Sequence, residues 1–466
     1  MMSQAFDLTI LEPHWSRLHG LLDTGGAEAS AYALLGRATI GADPWTGSPR
    51  TRLVSHEIHP IADAEKISAS PVHVTWATGG FMRLLSEAMC ADLVPALIHT
   101  HPGSSAFFSK QDNANEAELA RTAGIKGVRG LVSIVLGGDG SVCARIWLPD
   151  GTRVDMAHIQ VVGGRLRRWG GPTAGDGAIE HLDRQARLFG SGFNPLVRSL
   201  QVGVIGCGGT GSPVAMMLAR LGVGHLLLVD DDTVEVTNLN RVHGSRRSDV
   251  GVPKVDVLER EIVAADLGVR VAKWKGWAND SGARDALRSC DVILGCTDDN
   301  AGRVLINRLA YFYGIPVIDV GLRMRARSVD ASFDIHGRVT TLVPGRPCLI
   351  CGGFINPRRA AEEALERTDP AEFKRRKAEA YVEGGGDPAP AVVTFTTEMA
   401  AVAVNEVLAL LTGFHGDGGM VPTRYRRFHL RDDRFLGVAS KPGCPVCETE
   451  WSWGRGDIQP FLDLVG

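Results

Sequence analysis

Several features are missing or scarce in these 466 residues, and each absence excludes a class of protein. No uninterrupted run of eighteen or more apolar residues occurs, so no membrane-spanning helix is expected. The opening MMSQAFDLTILEPHW lacks the charged, then apolar, then small-residue layout of a signal peptide. Neither sign of charge dominates: 50 Lys and Arg stand against 53 Asp and Glu, a formal net charge of -3. A general nucleic-acid binder would carry a basic surplus on its binding domain. Nine cysteines are too few, and odd in number, for a disulfide scaffold in a chain this long. They fit thiols and metal ligands in a reducing compartment, with the cytoplasm as the expected location. Repeats at solenoid or propeller spacing are absent, as are long low-complexity tracts.

What is present is ordinary globular material, 44% hydrophobic and 22% charged. At roughly one to two hundred residues per domain, two or three domains are expected. Composition divides the chain over residues 163–177, a glycine-rich and basic stretch that reads as a connector between units at 1–162 and 178–466. The first unit has short apolar runs at 53–54, 95–98 and 131–136, with helical spacing over 78–92 and again after Asp112. That reads as a mixed sheet carrying helices. The second unit alternates strands at 200–205, 226–229, 292–294 and 317–318 with helices at 213–221, 255–264 and 303–313. Such alternation predicts a parallel, doubly wound, Rossmann-like α/β sheet. Adjacent strands around a turn at His336 and Gly337, a helix at 398–411 and a strand at 425–430 complete it.

The loop Gly206-Cys207-Gly208-Gly209-Thr210-Gly211 follows a strand and opens a helix. Without Cβ atoms the backbone can approach phosphates, and the helix start offers unpaired N–H groups. Asp230 ends the next strand, where a carboxylate can accept both ribose hydroxyls. Asn238, Arg241 and Lys254 follow. Hydride transfer builds no phosphate charge and needs no such cations. Nucleotidyl transfer does, because charge develops on the α-phosphate and the departing pyrophosphate. Asp298, after the strand at 292–294, is placed to hold Mg2+. Cys348 with Cys351, and Cys444 with Cys447, form two Cys-x-x-Cys pairs, the layout of a closed structural zinc site.

In order, these residues resemble the MoeB/ThiF family of adenylating enzymes, relatives of the ubiquitin-activating enzymes, over most of 178–445. The resemblance implies that ATP and Mg2+ are used to join AMP to the C-terminal glycine of a ubiquitin-like protein. It also implies a homodimer in which Arg184 reaches the partner's nucleotide, phosphate binding by Asn238, Arg241 and Lys254, magnesium on Asp298, and zinc on the four cysteines. Residues 352–397 contain no cysteine, and Tyr381 stands where relatives often carry the thioester-forming one. Adenylation without a thioester is therefore expected. The adenylate would then pass to a thiol or sulfide of another molecule. Residues 384–390, glycine-rich and then proline-rich, read as a mobile cover for the site.

In the first unit His99 and His101 lie at i and i+2 on an extended run, so both can reach one metal. Pro102 follows, then Ser109 and Asp112. Two imidazoles and a carboxylate leave zinc one open position, the catalytic pattern. This arrangement resembles the JAMM/MPN metallopeptidases, which cleave peptide or isopeptide bonds after the terminal glycine of ubiquitin-like modifiers. The resemblance implies an upstream glutamate on a helix leading into the first strand, Glu28 in preference to Glu57, and Ser109 as oxyanion donor.

Both halves thus point to one substrate, the glycine-ended tail of a ubiquitin-like protein. A bifunctional activating and processing enzyme is expected, with a conjugating enzyme as a further partner and neither nucleic acid nor membrane involved. The alternatives are sulfur-carrier adenylation fed by a sulfur donor, and a non-catalytic scaffold for a ubiquitin-like partner.

Overall fold

The computed structural model describes residues 4–457 except 24, 62–64, 71–72, 77, 171–179, 326–332, 379–389, 417–420 and 449. Tyr381 and most of the expected cover at 384–390 lie outside the described residues. In the first half the strands are β1 (Ala5–Leu11), β2 (Ser30–Ile40), β3 (Arg50–Pro60), β4 (Lys66–Ser70) and β5 (His73–Trp76). They continue with β6 (Val94–His101), β7 (Leu131–Gly137), β8 (Val142–Trp147), β9 (Arg153–Asp155), β10 (His158–Val162) and β11 (Arg167–Trp169). Three helices intervene: α1 (Glu12–Leu22), α2 (Thr78–Ala91) and α3 (Lys110–Lys126). Nine strands form one mixed sheet in the order β11-β10-β1-β3-β2-β6-β7-β8-β9.

The second half opens with α4 (Asp183–Phe189) and α5 (Phe193–Ser199). Strand and helix then alternate through β12 (Gln201–Ile205), α6 (Gly211–Leu221), β13 (His225–Val229), α7 (Lys254–Ala264) and β14 (Arg270–Trp274). The alternation continues with α8 (Arg284–Ser289), β15 (Val292–Gly295), α9 (Asn300–Phe312) and β16 (Val317–Arg325). After β17 (Asp334–Leu342) come α10 (Pro357–Thr368), α11 (Pro370–Ala378), α12 (Val393–Thr412), β18 (Thr423–Arg427) and β19 (Asp432–Phe435). The sheet order is β14-β13-β12-β15-β16-β17-β18-β19. Its first five strands are parallel and the last three join antiparallel. The order reverses beside β12, which opens a crevice at the strands' carboxyl ends.

Three expectations need correction. The connector begins later than composition suggested: Arg167–Trp169 pairs with β10 as an edge strand, because Trp169 packs on Trp15 and finds a partner for its indole N–H in the Gly140 carbonyl. His336 and Gly337 do not turn the chain; they lie inside β17, in register with Arg323 and Leu322 of β16. Finally, α12 is long and apolar enough to cross a membrane by length and composition. Threonines, Asn405 and two glutamates interrupt its apolar run, and its buried face, with Met399, Ala400 and Ala403 fully enclosed, packs on the second sheet.

The halves share a core. Leu11, Ala38, Trp45 and Val54 of the first pack in one cluster with Ile205, Leu287, Tyr311 and Trp453 of the second. The segment after the second cysteine pair runs back between them. Gly454 N–H donates to the Tyr311 carbonyl, Gly456 bridges to Arg37, and Asp457 accepts from Thr39 N–H. Gly36 allows this closeness: a Cβ there would stand 1.9 Å from the Gly454 carbonyl oxygen.

Candidate active sites

The glycine loop leaves β12 at its carboxyl end. Gly206 has φ +87, a left-handed conformation that disfavours side chains, and turns the chain sharply. Gly211 starts α6 so close to it that a Cβ would lie 1.7 Å from the Gly206 oxygen. The resulting cleft of about 390 Å³ is within the usual range for small-molecule sites, roughly 300–1,000 Å³. Gly206, Gly208, Gly209, Asp230, Asn238 and Arg241 line it, together with Lys254 and Asp298.

Asp230 is braced by backbone: Oδ2 accepts from Cys207 N–H at 2.5 Å and Oδ1 from Asp232 N–H at 2.8 Å. Burial raises its pKa, only partly offset by Lys254. Lys254 is itself buried, yet its pKa is raised, since Asp230 and Asp232 together outweigh the cost of desolvation. Its Nζ lies 2.6 Å from Asp232 and 3.9 Å from Asp230. The ammonium is therefore fixed and charged at the cleft floor. Arg241 is held by the Thr237 carbonyl at 2.6 Å and crosses over Gly209, where a Cβ would press on its stem. Asp298 is exposed to the cleft, a carboxylate suited to a hard cation, and so fits magnesium.

Two of the expected nucleotide residues lie outside the cleft lining: Gly211, which packs against Gly206 at the start of α6, and Arg184, which is exposed on α4. Two contributors escaped sequence reading. Arg303, in the first turn of α9, donates to the carbonyls of Thr297 and Asp298, so it sets the loop that presents Asp298. Its place just after that loop was the available signal. Arg367 of α10 bridges to Asp231 and lies 4.9 Å over the Trp277 ring at the cleft edge. No local pattern announces it.

The four cysteines converge. Sγ of Cys348 is 3.7 Å from that of Cys444, and Cys351 3.4 Å from Cys447. A tetrahedral zinc with Zn–S near 2.3 Å places its sulfurs about 3.8 Å apart. All four are buried; the hydrogen bond from Cys447 lowers the Cys348 pKa, while burial raises that of Cys351 and the Cys348 sulfur raises that of Cys447, so Cys348 is the thiol poised to ionise first. The set fits structural zinc.

In the first half, β6 delivers both histidines. Ser30 of β2 pairs with His99, and Ala29 exchanges hydrogen bonds with Thr100, so Glu28 falls beside His101. Glu28 Oε1 is 3.8 Å from His101 Nε2, and His99 Nε2 is 3.6 Å from Asp112 Oδ1. One donor atom from each of His99, His101 and Asp112 lies within 4.8 Å of the others. His99 Nε2 and His101 Nδ1 are buried without a hydrogen-bond partner. Burial, then His99, lowers the His101 pKa and keeps its ring neutral, the ligating form. Burial opposes ionisation of Asp112, but the His99 ring and Ser109 outweigh it and hold the carboxyl below its usual range. This set fits a zinc ion.

Two details differ from expectation. Glu28 sits in extended chain just before β2, not on a helix, because β1 and α1 have already intervened. Ser109 is the N-cap of α3: its hydroxyl accepts from Asp112 N–H at 3.1 Å while Asp112 Oδ2 accepts from Ser109 N–H at 2.7 Å. That capping box aims Asp112 at the histidines. Glu57, by contrast, is half-exposed against His56 and His59.

Residues 182–446 match the ThiF family. The chain belongs to that family. Residues 28–148 match the prokaryotic homologues of the JAB domain. Among curated proteins, the chain is 33% identical over 153 residues to a SAMP-activating enzyme E1 of Haloferax volcanii, covering 33% of this chain and 53% of that one. It is 34% identical over 137 residues to the sulfur carrier protein ThiS adenylyltransferase of Escherichia coli, covering 29% and 51%. The chain thus spans about half the length of these relatives. Among solved structures, that of Escherichia coli MccB with ATP superimposes at a TM-score of 0.42 and 19% identity over 59% of this chain and 76% of that one.

Proposed function

We propose that this ThiF-family chain adenylates the C-terminal glycine carboxylate of a ubiquitin-like protein, and that its JAB domain cleaves peptide or isopeptide bonds after that glycine. The single observation that carries the first activity is the cleft at the glycine loop, where two fixed cations face a braced acceptor and an exposed carboxylate.

Asp230 would accept the ribose hydroxyls and the Gly206–Gly211 backbone the phosphates. As the substrate carboxylate attacks the α-phosphorus, the bond to the β-phosphate oxygen breaks and pyrophosphate leaves with the electron pair. Lys254 and Arg241 stabilise the charge that collects on those oxygens. Asp298 would hold magnesium, which neutralises phosphate charge when bound. Arg184, exposed on α4, is available to a second copy's cleft, as a homodimer requires.

In the JAB domain His99, His101 and Asp112 would hold zinc, which supplies Lewis acidity when bound. Glu28 moves the proton from water to the leaving amine, and Ser109 donates its O–H to the developing oxyanion.

ATP–pyrophosphate exchange should require Mg-ATP and the cognate ubiquitin-like protein, and Asp298→Ala should abolish it. Unchanged exchange in that variant overturns the reading. A second reading, sulfur-carrier activation with an external donor, is favoured by the lack of cysteine over 352–397. Intact mass after incubation with ATP separates the two: an adenylate alone fits transfer elsewhere, and a thiocarboxylate formed on adding sulfide and donor fits sulfur chemistry.

A further inference from the structure

A third group of metal-capable side chains lies apart from both sites. Asp334 and His336 are two residues apart on β17 and so share one face. His429 follows β18 in the single turn Phe428–Leu430. The β17–β18 register sets His336 opposite Arg427, which carries His429 to the same end of the sheet. One donor atom from each residue lies within 4.8 Å of the other two. None of the three lines the cleft.

The surroundings are arranged as a ligand set. His336 Nε2 and Asp334 Oδ1 press together, and His336 Nδ1 is buried without a hydrogen-bond partner. His429 is oriented by the Ile335 backbone, whose N–H lies 3.3 Å and whose carbonyl lies 3.2 Å from Nδ1. The His336 and His429 rings meet edge-on with centroids 4.9 Å apart. Fixing a ring through a backbone carbonyl is a common support for metal-ligating histidine. Charge discriminates among ions. Arg325 lies 3.8 Å from Asp334, and Arg323 stands opposite His336. A hard ion held mainly by charge would meet one carboxylate against two guanidiniums. An ion bound through imidazole nitrogen tolerates that better.

We propose that Asp334, His336 and His429 bind a divalent transition-metal ion of the zinc, nickel or copper class, in a third site that clamps β17 to the turn after β18. Strand β16, paired with β17, presents Val320, Leu322 and Met324 to the cleft, so the clamp stiffens that wall. The proposal does not depend on the adenylation reading.

The test counts metal. The full-length chain, stripped with chelator, is brought to equilibrium dialysis against Zn2+ and bound metal is measured by mass spectrometry. His336→Ala and His429→Gln should each bind one equivalent less than the parent, with unchanged circular dichroism. Combining either with His99→Ala should remove a second equivalent. Parent stoichiometry in either single variant overturns the proposal, as does displacement of the ion by a roughly hundredfold excess of Mg2+. Should His336→Ala fail to fold, Asp334→Asn beside His429→Gln carries the same test.

Discussion

Arg52 of β3 and Asp291, just ahead of β15, meet between the two sheets at 3.0 Å, with their side chains 2% and 1% exposed. Arg168 of β11 adds a second cation 3.2 Å from the same carboxylate, and the Arg52 guanidinium donates to the carbonyls of Ser289 and Cys290. Two buried guanidiniums thus share one carboxylate at the seam between the halves.

Removing the shared carboxylate leaves buried guanidinium charge uncompensated, which costs about 3–5 kcal/mol. Asp291→Ala should lower the urea midpoint by a corresponding amount and unfold both halves together. Two separate transitions in the parent protein would show that the seam does not couple them.

His14, near that seam, is held to about 4 first by burial and next by His56, against 6.5 when free. Its folded pKa is depressed, so the unfolded chain takes up the proton first. Stability is fully present above 6.5 and falls as pH drops toward 4, by roughly 3 kcal/mol for this shift. In His14→Gln the difference between denaturation midpoints at about pH 7.5 and about pH 4.5 should shrink.

Glu28→Gln should reduce cleavage of a ubiquitin-like fusion by about 10²–10⁴-fold while zinc content is retained. Glu57→Gln should leave cleavage near the parent rate, since Glu57 faces His56 and His59 instead. Equal losses in both would assign the proton carrier wrongly.

Lys254→Ala should lower pyrophosphate exchange by about 10²–10³-fold, the range for losing one preorganised charge partner in a transition state. A change confined to KM for ATP would mean that the ammonium binds ground state and transition state alike.

Cys447→Ser should release one zinc equivalent and destabilise the chain, because metal affinity at a closed cysteine site is also folding free energy. Metal analysis with thermal melts reads both. Retained zinc would show that three sulfurs suffice.

Features carried by short-range rules were legible in the sequence. The strand, glycine loop and helix at 201–221, the histidine strand and both cysteine knuckles follow from local pattern and lie where spacing put them. Features set by distant partners were not. The edge strand Arg167–Trp169 exists because Trp15 and Gly140 await it, and Arg367 reaches Asp231 from 136 residues away. Likewise, Glu28 is placed by the pairing of β2 with β6, so its own neighbours give no hint of a helix or its absence.

The returning segment at 453–457 has a practical consequence. It occupies the groove beside Gly36 and fastens Asp457 to Thr39 and Arg288, one on each half. Severing the protein at 171–179 would strand that segment with the wrong fragment: the JAB piece would present a bare trench, and the other a dangling tryptophan. Biochemists who wish to assay one activity alone do better to silence its counterpart by point substitution than to cut the polypeptide in two.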